Sequence, residues 1–156
     1  MLEVAVITVS DRAFRGEYQD LSGPTIVDMI HQSDVEANVS IIIVPDEKPL
    51  LEKAIRQNLG KDYIFTTGGT GISDRDLTPE VTESICEKGL PGISEMLRFE
   101  SYKETKNAVF SRGYSGLHGK TIIVNFPGSV KAVTLCTRLM LPVMTHGIKM
   151  LHGGKH

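Results

Sequence analysis

Cysteine is scarce in this 156-residue chain: Cys86 and Cys136 are the only two, far apart and each in a stretch with helical spacing. That excludes a disulfide framework and a thiolate zinc site, and it fits two small buried thiols in a reducing compartment. No apolar run approaches the ~20 residues that span a bilayer. Met1-Leu2-Glu3 leads straight into Val4-Ala5-Val6-Ile7, without a basic lead or a cleavage-site pattern. A cytoplasmic location, with no membrane partner, is expected. An excess of one charge is also missing, since Lys and Arg total 17 against 19 for Asp and Glu, a formal net charge of −2. Nothing in that balance draws the chain as a whole toward nucleic acid, so any anion site has to be local. Internal repeats, low-complexity tracts and Pro/Ser-rich linkers are lacking, and residues 1–156 are expected to form one domain.

The composition that remains, 40% hydrophobic and 23% charged, is too apolar for a disordered chain. Three short runs rich in Val, Ile and Phe, at 2–9, 39–44 and 63–67, read as buried parallel strands. Between them Ile26, Met29 and Ile30, then Leu51, Ala54, Ile55 and Leu59, recur with helical period. Alternating strands and helices predict βαβ units with right-handed crossovers: a three-layer α/β/α sandwich around a mostly parallel central sheet. Thr78-Pro79-Glu80 opens a third helix, with Thr78 as N-cap and Pro79 at the first helical position. Pro91-Gly92 ends that helix and starts another, which runs to about Lys103. The run 121–126 is a further strand, stopped by Pro127-Gly128. A helix follows it through Ala132, Leu135, Cys136, Leu139 and Met140, and Pro142 begins a separate final helix. The tail His152-Gly153-Gly154-Lys155-His156 is expected to fray.

In such a sheet, ligands bind beyond the carboxyl ends of the strands, where loops converge and helix N-termini carry partial positive charge. The strand ends are Ser10-Asp11-Arg12, Pro45-Asp46-Glu47, Gly68-Gly69-Thr70-Gly71 and Pro127-Gly128-Ser129, all polar or glycine-rich. The glycine run allows positive φ and close backbone approach, which can form a nest for phosphate or carboxylate oxygens. Two familiar phosphate loops fail. The segment 116–121 ends like a P-loop, but Tyr114 stands where the first glycine is needed and a strand follows. Gly69-Thr70-Gly71 begins like a dinucleotide fingerprint, but Asp74 stands where a close-packing glycine is needed. Instead, Asp46, Asp74 and Asp76 lie beside the nest, and hard oxygen ligands next to phosphate suit Mg²⁺. Arg12, Arg75 and Arg112 flank the loops as donors for phosphate oxygens. His31, His118, His146, His152 and His156 form no i, i+4 pair and accompany no Gly-x-Ser-x-Gly elbow, which leaves zinc chemistry and Ser/His hydrolysis unsupported.

The segments 7–12, 16–20, 45–47, 66–71 and 75–80, continued by Pro91-Gly92, Ser111-Arg112, Asn125-Phe126-Pro127-Gly128 and Lys131-Ala132-Val133, resemble the molybdopterin adenylyltransferase family of the MogA/MoaB type over nearly the whole chain. The resemblance implies a molybdopterin-binding-domain fold, commonly trimeric. It also implies an enzyme that transfers AMP from ATP, with Mg²⁺, to the terminal phosphate of molybdopterin and releases pyrophosphate.

Carried over residue by residue, Asp46 and Asp76 match the family's two aspartates, here assigned to holding Mg²⁺ and orienting phosphates. Asp74 is an additional acid, and which of Asp74 and Asp76 meets the metal stays open. Gly68, Gly69, Thr70 and Gly71 would cradle phosphate. Ser10, Ser111, Asn125, Pro127, Gly128 and Ser129 would complete the pterin and nucleotide pocket, with Asp20, Ser22 and Gly23 closing it. A homotrimer in transient contact with other cofactor-biosynthesis enzymes is implied as well. The alternatives are a non-catalytic molybdopterin carrier or regulator on the same fold, and a scaffold that recruits partners through its trimeric surface.

Overall fold

The computed structural model describes residues 1–155. Four strands, β1 (Leu2–Val9), β2 (Ala37–Val44), β3 (Tyr63–Thr67) and β6 (Thr121–Phe126), pair in parallel in the order β2-β1-β3-β6. Two further strands, β5 (Ser115–His118) and β4 (Lys88–Gly89), extend the sheet antiparallel beyond β6. The sheet is therefore mixed, its parallel part matching expectation and its antiparallel edge not foreseen. The former P-loop look-alike forms the turn joining β5 to β6, where His118 pairs with Thr121.

Side chains alternate across the central strands. Val4, Val6, Tyr63, Phe65, Ile122, Val124 and Phe126 face one side, where α2 (Ser22–His31), α5 (Pro91–Glu104) and α6 (Val130–Leu151) cover them with Ile26, Ile30, Leu97, Val133 and Met140. Ala5, Ile7, Val9, Ile64 and Ile123 face the other, under α3 (Lys48–Gln57) and α4 (Thr78–Ile85), which supply Leu51, Ile55, Val81 and Ile85. Three layers follow. On the first face Tyr63, Phe65 and Phe126 stack at 5.4 and 5.0 Å, and Tyr63 donates its hydroxyl to the Met144 carbonyl at 2.8 Å.

Several local expectations are corrected. The β2 segment is the sheet's edge, with Ile41, Ile42 and Ile43 exposed by 41%, 38% and 37%. An unbroken apolar run signals a strand, but not whether a neighbour covers both of its sides. Pro142 lies inside one continuous helix, α6, rather than starting a new one. Val133, Cys136, Met140, Met144 and Ile148 form one buried stripe along it. Pro142 and Arg138, whose carbonyl loses its helical partner, are both exposed residues, so the freed acceptor is on the solvent side of the helix. The third helix ends at Ile85, before Pro91-Gly92, and Cys86 is its extended, half-buried C-cap rather than a helical residue.

The tail closes onto the helix instead of fraying. Amides of His152, Gly153 and Gly154 reach the carbonyls of Ile148, Met150 and Lys149, and Lys120 bonds the Leu151 carbonyl. His156 lies outside the described residues.

Candidate functional site

Register brings the strand ends together. Val9 lies beside Val44, Thr8 beside Thr67, and Thr67 beside Phe126, so the loops that leave Ser10, Pro45, Gly68 and Pro127 emerge along one edge of the sheet. Ser10, Asp46, Gly68, Gly69, Pro127, Gly128 and Ser129, which directly follow these strands, therefore share this edge.

Glycine is demanded at the centre. Gly68 and Gly69 have φ of 98° and 70°, in the left-handed region. A Cβ on Gly68 would lie 2.3 Å from the Val9 carbonyl oxygen, and one on Gly69 would lie 2.2 Å from Thr78 Oγ1 and 3.2 Å from Asp46 Oδ1. The loop is held from behind by Thr67 Oγ1 donating to the Pro127 carbonyl at 2.8 Å and by the Gly68 amide donating to Phe126 at 3.1 Å. Gly128 packs against Gly68, and its carbonyl accepts from Ser22 Oγ at 2.5 Å. Asp20 accepts from the Ser22 and Gly23 amides at 3.1 and 3.2 Å and from Thr8 Oγ1 at 2.7 Å, which fixes the start of α2 over β1. Ser10 caps the short helix α1 (Asp11–Phe14) by accepting from the Ala13 amide at 3.2 Å.

The carboxylates sit on one flank of the glycine loop. Asp46 Oδ2 accepts from the Asp11 amide at 3.1 Å, and Asp11 Oδ1 accepts from the Asp46 amide at 2.9 Å. Arg75 donates to Asp11 Oδ2 through Nη2 at 2.6 Å and Nε at 3.1 Å. Asp76 Oδ2 takes the Ser73 amide and hydroxyl at 3.0 and 2.7 Å, closing its own turn rather than capping α4. That oxygen lies 2.8 Å from where a Cβ on Gly71 would be. Asp74 stays exposed, whereas Asp76 turns partly inward.

Burial pushes the Asp46 carboxyl above the ordinary aspartate range, and the nearby charges of Asp11 and Asp76 add to the rise against the lowering hydrogen bond from Asp11. The Arg75 hydrogen bond holds Asp11 below that range. Asp46 and Asp76 are hard oxygen donors of the kind that could hold Mg²⁺ beside the glycine loop.

On the other flank lies a cavity of ≈ 390 Å³ lined by Thr70, Gly71, Ser111, Pro127, Ser129 and Lys131, among others. Ser129 caps α6, its Oγ accepting from the Ala132 amide at 3.1 Å, so the positive end of a long helix faces this space. Lys131 has no ion-pair partner among the described residues and is the cation at this cavity. The sequence alone gives Lys131 no role beyond the resemblance; its place in the first turn after the capping Ser129 is the local signal for one. Asp11 is named only as part of a strand end by the sequence, although it follows β1 much as Asp46 follows β2.

Other expected donors are already engaged. Arg112 donates to the carbonyls of Gly71 and Asp76 at 2.7 and 2.8 Å and to both Glu80 oxygens at 2.6 and 2.9 Å, which makes it a clasp on the loop 70–80. Arg75 is committed to Asp11, and Arg12 lies over the Tyr18 ring at 5.7 Å. Asn125 is buried: its amide nitrogen serves Thr66 and Thr82 at 2.9 Å each, and its oxygen takes the Tyr114 amide at 3.0 Å. Thr78 is not the N-cap of α4; its hydroxyl donates to the Gly68 carbonyl instead.

The family model described as "Probable molybdopterin binding domain" matches residues 5–146. A molybdopterin adenylyltransferase of Helicobacter pylori (strain ATCC 700392 / 26695) is 35% identical over 97% of this chain and 89% of its own length. The solved molybdopterin biosynthesis enzyme MoaB of Thermus thermophilus superposes with a TM-score of 0.88 at 37% identity, covering 98% of each chain. The tungsten cofactor synthesizing protein MoaB of Pyrococcus furiosus gives 0.83 at 34% identity, with 97% of each chain covered.

Proposed function

The chain belongs to the molybdopterin-binding-domain family, and on that premise we propose that it is a molybdopterin adenylyltransferase of molybdenum cofactor biosynthesis, moving AMP from Mg-ATP to the terminal phosphate of molybdopterin. A terminal phosphate oxygen of the pterin forms a bond to the α-phosphorus of ATP as the bond from that phosphorus to the β-bridging oxygen breaks. The electron pair leaves with pyrophosphate. No enzyme nucleophile takes part, so the protein's task is to align two polyanions and offset the charge between them.

The observation that carries this reading is that both aspartates lie close against the glycine loop, at places only a residue without a side chain leaves open. Asp46 Oδ1 lies 3.2 Å from the place of a Gly69 Cβ, and Asp76 Oδ2 lies 2.8 Å from that of Gly71. Each carboxylate keeps an Oδ1 that accepts no hydrogen bond among the described residues. Among those residues, no group of three ligating side chains gathers at one point. Two carboxylates with positions left for triphosphate oxygens and water fit Mg²⁺, which prefers few protein ligands. Bound there, Mg²⁺ supplies neutralisation of the charge that develops on pyrophosphate.

The glycine loop then receives phosphate against its backbone, while Ser111, Ser129 and Lys131 bind the anionic end of the second substrate in the adjoining cavity. Thr70, Pro127 and Gly128 shape the passage between the two. Asp20, Ser22 and Gly23 hold its wall, and Ser10 and Asn125 act from behind by fixing the loops. A homotrimer belongs to the same proposal, and light scattering on the eluting protein tests it, a monomer at micromolar concentration counting against it.

Mass spectrometry of the pterin product after incubation with Mg-ATP tests the reaction. The expected result is adenylyl-molybdopterin with the wild type and unmodified molybdopterin with Asp76→Asn.

A further inference from the structure

Of the acids at the strand ends, Asp11 touches neither the glycine loop nor the cavity, yet it is bonded to both elements that carry the candidate metal ligands. Its Oδ1 accepts from the backbone amide of Asp46 at 2.9 Å, and its own amide donates to Asp46 Oδ2 at 3.1 Å. That pair of bonds fixes the Asp46 side chain as well as its backbone. With Oδ2 taken, Oδ1 is the oxygen left facing Gly69. The remaining Asp11 oxygen, Oδ2, takes two bonds from Arg75, the residue directly before Asp76. Asp76 is in turn held from its far side by Ser73. One carboxylate therefore joins the loops after β1, β2 and β3, and both candidate ligands are placed relative to it.

We propose that Asp11, clamped by Arg75, is the positioning residue that sets the spacing between the free oxygens of Asp46 and Asp76, and so the affinity of the site for its nucleotide-bound divalent cation. The inference deepens the adenylyltransferase reading and rests on it for the identity of the nucleotide. Asp11 holds ligands in place without being one: both of its oxygens are occupied by protein donors. Outer groups of this kind commonly change metal affinity by 10–100-fold.

The test uses Mn²⁺ with a non-hydrolysable ATP analogue bridged by methylene between the α- and β-phosphorus. Binding is followed by electron paramagnetic resonance in wild type, Asp11→Asn, Arg75→Gln and the double variant. Asp11→Asn keeps an acceptor for the Asp46 amide but gives up the charged bond to Arg75. Each single variant is expected to weaken Mn²⁺ binding by roughly 10-fold with the thermal midpoint little changed. The double variant is expected to be no worse than either single one, because both cut the same link.

Unchanged Mn²⁺ affinity in a folded Asp11→Asn, or losses that multiply in the double variant, overturns the proposal. So does a wild type that binds no Mn²⁺ with the nucleotide. If Asp11→Asn does not fold, Arg75→Gln alone decides, since its side chain is exposed and its removal leaves the Asp11–Asp46 bonds in place. Weakened Mn²⁺ binding together with a wild type that never adenylates the pterin would keep this inference and remove the reaction. Full turnover with unperturbed metal affinity in the variants would do the opposite.

Discussion

Thr78 donates its hydroxyl to the carbonyl of Gly68 at 3.0 Å, while its amide donates to the carbonyl of Gly69 at 3.1 Å, so the first residue of α4 is fastened to the centre of the glycine loop. The loop's shape is thus fixed by the helix behind it and by the Val9 carbonyl beneath it. Gly68→Ala sets a methyl 2.3 Å from that carbonyl, at a φ of 98°. Backbone cannot yield there as a flexible side chain would. The variant is expected to lose more than about 1 kcal/mol of stability in urea denaturation and most of its turnover.

Asn125 behaves differently from the other residues assigned to the pocket, because its amide is used up by Thr66, Thr82 and Tyr114. Asn125→Ala leaves the part-buried Tyr114 amide without its side-chain acceptor and removes the buried donor to the Thr66 and Thr82 hydroxyls. The expected loss is on the order of 2 kcal/mol in stability, read by urea denaturation. Calorimetric affinity for molybdopterin in the folded fraction should stay near the wild-type value. A large affinity loss at unchanged stability would return Asn125 to direct ligand contact.

Those two residues show where the sequence was readable. Strand ends, glycine loop and acids could be placed because a parallel α/β chain puts its loops on one edge, and the order of apolar runs gives that edge away. The antiparallel strands β4 and β5 were not visible, since Lys88–Gly89 and Ser115–His118 are short and carry little hydrophobic period. Nor was it visible that Arg112 and Asn125 would be consumed by carbonyls and threonines. Hydrogen-bond partners far apart in the chain leave no local pattern, and only the packed chain decides which polar side chains stay free. Pro142 failed as a boundary for a similar reason, as the continuous buried stripe of α6 outweighs one lost helical bond.

Asp46 carries a cost in the cation-free protein. Its carboxyl ionises above the ordinary aspartate range through burial and the charges of Asp11 and Asp76. A raised value in the folded state means that stability is present while the group is protonated and is lost as pH rises through its folded ionisation. At pH 7 the charge therefore works against folding. Asp46→Asn, which keeps an acceptor for the Asp11 amide, is expected to raise the thermal midpoint at pH 7 while removing turnover. The gain should shrink as pH falls through the folded-state ionisation of the wild-type group, which lies above the ordinary aspartate range. Calorimetric scans of both proteins from pH 7 down through that ionisation check it, and a lower midpoint at pH 7 contradicts it.

Arg112 spans the loop 70–80 with a fork that lysine does not possess. Arg112→Lys can keep the contact with Glu80 but not the bonds to both the Gly71 and Asp76 carbonyls. Loss of about 1 kcal/mol is expected, with faster amide hydrogen exchange confined to residues 70–80. Exchange unchanged in that segment would mean that Thr78 and Ser73 hold it unaided.

The central claim is that this site couples cleavage of ATP to the pterin. Pyrophosphate release from Mg-ATP, measured with and without freshly prepared molybdopterin and with Asp76→Asn beside the wild type, tests it most directly. The account predicts release that requires the pterin and falls at least about 100-fold in the variant, the scale set by removing a group that acts on the transition state. Tight pterin binding with no release from the wild type would contradict it and make the protein a carrier.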